Sequence, residues 1–134
     1  MNSSSGRGEG CRIYRSRRGF TLPIEVMLYI FYIVTGSDEI DLQFLEQTVE
    51  EAVREGLNVP SRRDIRLVLP WLELSGIVKF DGKRLKLSDL ECLKSFYNAI
   101  TDPLVELLDP ATTNNVRRFI QLVERRVKAL KGKT

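Results

Sequence analysis

The sequence predicts a mainly α fold with a small β-hairpin, a core over residues 21–88 and a helical extension over 89–134. Three observations carry this. Apolar residues recur at helical spacing in successive segments after residue 20. Period-two alternation flanks Asp81-Gly82, and capping residues, glycines or prolines punctuate the boundaries. With 134 residues and 43% hydrophobic content the chain is one domain with appendages, large enough to bury a core.

The first element is a non-core arm, residues 1–20. Its start is Ser, Gly and Asn, which cannot nucleate a core. Arg12, Arg15, Arg17 and Arg18 follow with no acid among them. They suit either a solvated tail or an arm laid along phosphates or in a minor groove. From Thr21 the chain predicts a helix to about Val34, with Thr21 as cap and Pro23 in the first turn. It is apolar nearly all round, the signature of a central buried helix.

Ser37-Asp38-Glu39 opens a predicted helix to Gly56, with Ile40, Phe44, Leu45, Val49 and Val53 on one stripe. Its outer face is acidic and would be repelled by a phosphate backbone. After Leu57-Asn58-Val59-Pro60, Ser61 and Asp64 have capping-box spacing. In the helix that follows, Ile65, Val68, Leu69 and Leu72 share a face, and Arg62, Arg63 and Arg66 lie opposite. Pro70 predicts a kink or a break. Leu67, Trp71 and Leu74 fall off the main apolar stripe, so they need cover from the C-terminal helices or from a partner. Gly76 ends the helix. Residues 77–87 then read as a hairpin turned by Asp81-Gly82, a favoured type I′ pair, with Lys79, Lys83, Arg84 and Lys86 at its polar positions.

Ser88-Asp89 begins another helix, carrying Leu90, Leu93, Phe96, Tyr97 and Ile100 on one face, and Asp102-Pro103 breaks it or starts a short one. Residues 109–115 read as a loop rich in caps and turn formers. The last helix, from about Asn114 to Lys131, places Val116, Ile120, Val123, Val127 and Leu130 at alternating spacings of four and three. That seam suits a dimer contact or an amphipathic helix folded back on its own domain.

Helix, helix, capped helix, glycine, then a basic hairpin is the order of a winged helix-turn-helix domain, and residues 21–88 resemble that family. The likeness lies in Ser61-Arg62-Arg63-Asp64-Ile65 through Trp71-Leu72-Glu73-Leu74-Ser75-Gly76-Ile77-Val78. It implies a recognition helix that enters the major groove and a wing that rests on phosphate or in the minor groove. Arg62, Arg63 and Arg66 would then face bases or phosphates, and Lys79, Lys83, Arg84 and Lys86 would be the wing contacts. Winged helices also dock proteins, so the resemblance leaves both uses open. A second, local likeness is Gly19-Phe20-Thr21-Leu22-Pro23-Ile24-Glu25-Val26-Met27-Leu28, which resembles the processing site of type IV pilin precursors. Pro23 displaces Glu25 by one position from that pattern, and the apolar run ends at Val34, short of the roughly 20 residues a bilayer span needs.

The chain has no histidine and two cysteines, which removes the commonest general base, the histidine-activated nucleophiles and a cysteine zinc site. The expectation is a protein without catalysis, metal or cofactor, outside the membrane and cytoplasmic, with Cys11 and Cys92 reduced. Sparse Asn and Gln with abundant charge fit a heat-adapted protein. The net charge of +3 is segregated: +3 over residues 1–36, −6 over 37–56, +4 over 57–88, −4 over 89–109 and +6 over 110–134. The leading expectation is a transcriptional regulator or architectural factor. It binds double-stranded DNA as a homodimer through Arg62, Arg63, Arg66, the wing cations and the arm residues Arg15, Arg17 and Arg18. The alternative is a winged-helix adaptor that docks a protein partner.

Overall fold

The computed structural model describes residues 21–132. It is mainly α with a small three-stranded antiparallel sheet. The elements are α1 (Ile24–Thr35), β1 (Glu39–Asp41), α2 (Leu42–Arg54), α3 (Arg62–Leu74), β2 (Val78–Phe80), β3 (Arg84–Leu87), α4 (Leu90–Ile100), α5 (Pro103–Leu108) and α6 (Pro110–Gly132). The arm, with Arg12, Arg15, Arg17 and Arg18, lies outside the described residues, as do Gly19 and Phe20.

The apolar α1 is the centre of the molecule. Val26, Met27, Leu28, Ile30 and Phe31 are all fully buried, with α4 and α6 packed against the helix. Each such side chain contributes about 1.5–3 kcal/mol by leaving water. Phe31 meets Phe44 of α2 and Phe119 of α6 edge-on, and Tyr29 packs on Tyr97 of α4. Thr21 does not cap the helix. Pro23 occupies the cap position in an extended conformation, and the Thr21 hydroxyl donates instead to Asn58 Oδ1 at 3.1 Å. Gly36, left-handed at φ 74°, ends the helix with its N–H on the Tyr32 carbonyl. At 12 residues α1 is no membrane span, and among the described residues no helix is long and apolar enough to be one.

Residues 37–41 depart from the expected helix. Glu39–Asp41 is a strand, paired with β3 through Glu39↔Lys86, Ile40↔Leu85 and Asp41↔Arg84, so the sheet order is β1-β3-β2. The strand wins because Ile40 then enters the core and β3 gains a second hydrogen-bonded neighbour. Asp41 caps α2 by accepting from the Phe44 N–H at 3.0 Å.

α3 opens with the expected capping box. Ser61 Oγ accepts from the Asp64 N–H, and Asp64 Oδ2 accepts from the Ser61 N–H, both at 3.1 Å. The helix runs unbroken through Pro70, whose ring sits on the exposed side, where water can reach the Arg66 carbonyl it leaves without a donor. The β2–β3 turn is not type I′. That turn needs positive φ at both central residues, yet only glycines have positive φ among the described residues. The loop is instead Asp81 to Lys83, where Asp81 Oδ1 accepts from the Lys83 and Arg84 N–H groups and Gly82 takes φ 96°.

The expected loop over 109–115 is the first turns of α6. Asp109 accepts from the Thr112 N–H and hydroxyl, with Pro110 following it, which repeats the Asp102-Pro103 start of α5. Cys92, buried on α4, is disulfide-bonded, which corrects the expectation of two reduced thiols. The one other cysteine of the chain, Cys11, lies outside the described residues.

Candidate macromolecular interface

The loop before α3 decides where that helix stands, and α6 holds the loop. Asn115, buried on α6, accepts from the Asn58 N–H at 2.9 Å and donates through Nδ2 to the Asn58 carbonyl at 2.7 Å. The same carbonyl takes the Leu22 N–H at 3.0 Å. The start of α1, the α2–α3 loop and α6 therefore meet at one peptide. With Ser61 and Asp64 fixing its first turn, α3 buries Ile65, Leu69 and Leu72.

Arg62 and Arg66 are exposed but paired with acids of α2. Arg66 forks onto Glu46 of α2, Nε to Oε2 at 2.6 Å and Nη2 to Oε1 at 3.1 Å. Arg62 reaches Glu50 at 3.1 Å and Glu46 at 3.7 Å. The Arg66 hydrogen bond, more than the charge of Arg62, holds the Glu46 carboxyl below its ordinary pKa. On the wing, Lys86 pairs with Asp38 at 2.8 Å and Arg84 with Glu39 at 3.6 Å. Asp38 raises the Lys86 pKa by hydrogen bond and charge. Because β1 is a strand beside β3, it brings Glu39, and Asp38 just before it, against the wing. The acidic segment thus borders both basic elements instead of standing apart from them.

The basic side of α6 is answered the same way. Arg125 pairs with Glu55 at 3.0 Å, Arg118 donates to the Glu55 carbonyl at 2.7 Å, and Arg126 donates to Thr48 while stacking over Phe44. Of the cations expected on recognition helix and wing, Arg63, Lys79 and Lys83 have no carboxylate partner among the described residues.

The open face of α3 is apolar. Leu67, Trp71 and Leu74 are 61%, 67% and 81% exposed, and the C-terminal helices do not cover them. Arg63 lies one turn before Leu67 on the same face. The wing joins the other end of the helix, where the Phe80 N–H donates to Glu73 at 3.3 Å. A second apolar group, Leu104, Leu107 and Leu108, is exposed on the six-residue α5.

The heptad seam of α6 divides. Val116 and Val123 are in the core with Phe119 and Leu122, Ile120 and Val127 are half-buried, and Leu130 is exposed. Two of the five seam residues are therefore already covered by their own chain. No cluster of metal-ligating side chains occurs among the described residues. The Asn58–Asn115 clamp and β1 escaped sequence reasoning. The first offered only an Asn in a polar run, and the second is three residues whose strand character comes from its neighbour. Compared with protein-family models, curated proteins and solved structures, the chain gives no significant match.

Proposed function

We propose that this chain is a non-catalytic winged-helix adaptor that docks a protein partner through the open face of α3. The observation that carries this is the exposure of Leu67, Trp71 and Leu74 together, on the helix that such domains use for recognition. The order β1-β3-β2, with α3 before the hairpin, supports the winged-helix reading. Arg62 and Arg66 support the choice of protein over DNA, because both are engaged by Glu46 and Glu50. We read the protein as cytoplasmic. A disulfide at Cys92 is compatible with that in a heat-adapted cell, where intracellular disulfides are common.

The test is a photo-crosslinking side chain at position 67 of the full chain, expressed in its native cell. Discrete protein adducts that vanish when Leu74→Asp is added are the expected result. Adducts with nucleic acid alone would refute the assignment.

A second reading, duplex DNA binding with transcriptional regulation, draws support from Arg63, Lys79 and Lys83, whose charges remain open. It would also enlist Arg15, Arg17 and Arg18. Homodimerisation would use what remains of the seam, Ile120, Val127 and Leu130 beside the exposed Ile33.

A further inference from the structure

We draw no further inference here: the strongest candidate, the open groove floored by Phe31, Ile40, Phe44, Val127 and Leu130 between α1, α2 and the last turns of α6, is an apolar face that nothing in the structure shows to be covered by a ligand, a second copy or a partner of any one chemistry.

Discussion

Asn115→Ala tests whether the extension is part of the architecture that positions α3 or merely appended to it. Among the described residues the substitution removes two hydrogen bonds, from the Asn58 N–H at 2.9 Å and to the Asn58 carbonyl at 2.7 Å. The carbonyl keeps the Leu22 N–H, so its loss is partial, but the Asn58 N–H is left without its acceptor in a partly buried place. Two bonds at about 1 kcal/mol each and an orphaned donor at about 1–2 kcal/mol give a destabilisation of about 3 kcal/mol. For a chain of this size that is a fall in Tm of roughly 10 °C. Urea unfolding followed by far-UV circular dichroism should show a lower midpoint with an unchanged slope. Asn115→Asp sharpens the test. It keeps one acceptor but sets a carboxylate oxygen against the Asn58 carbonyl, so it should be as damaging at neutral pH. Acid should partly restore it, because a protonated carboxyl can donate to that carbonyl. A loss below about 0.5 kcal/mol in Asn115→Ala, the level of an ordinary surface change, would refute the clamp.

Three further outcomes are expected. Glu46→Gln with Glu50→Gln frees Arg62 and Arg66, so duplex affinity should rise and the salt slope steepen by up to about two units; Arg66→Ala weakening duplex binding as much as Arg63→Ala would sink the pairing argument. Burial raises the Glu25 pKa, so its ionised form is penalised in the folded state above the folded pKa, and the penalty fades as pH falls through that value. Glu25→Gln should therefore raise Tm at neutral pH and give a smaller gain in acid; a gain that does not change with pH would contradict this. Glu46 has the opposite sign: its pKa is lowered, so its stabilisation is complete above the ordinary carboxylate pKa and is lost as pH falls through the folded value. Finally, Cys92 should resist alkylation in unreduced, unfolded protein and react once the protein is reduced. Reduction should then lower stability by about 2–4 kcal/mol; a titratable Cys92 thiol in unreduced protein would refute the bond.

Much of the fold was legible because it rests on local chemistry. The all-round apolar character of residues 24–34 requires a central helix, and the Ser61–Asp64 spacing requires a helix start whatever lies around it. Asp102-Pro103 read as either a break or a helix start, and Asp109-Pro110 is the same signal, obscured by the Thr and Asn that follow. The strand at 39–41 was hidden because three residues have no period of their own. Its acids made a good helix start until β3 was in place beside it.

The candidate site was only half legible. The sequence placed Leu67, Trp71 and Leu74 off the core stripe from helical geometry alone, since a wheel needs no neighbour. It could not say whether the extension covers them, which depends on how α6 lies across α1 and α2. The same limit applied to the arginines. Their position on α3 followed from the sequence, but their partners came from α2, twenty residues earlier for the Arg66–Glu46 pair.

The sequence by itself determined most element types, the central helix, the cap of α3, the absence of histidine chemistry and the alternation of charge along the chain. Only the tertiary structure decided what that alternation means. Coulomb attraction acts through space, and folding stacks the acidic α2 between basic α3 and basic α6 and lays Asp38 and Glu39 against the wing. Charge that is segregated in one dimension is largely matched in three, and apolar faces of α3 and α5 are left open.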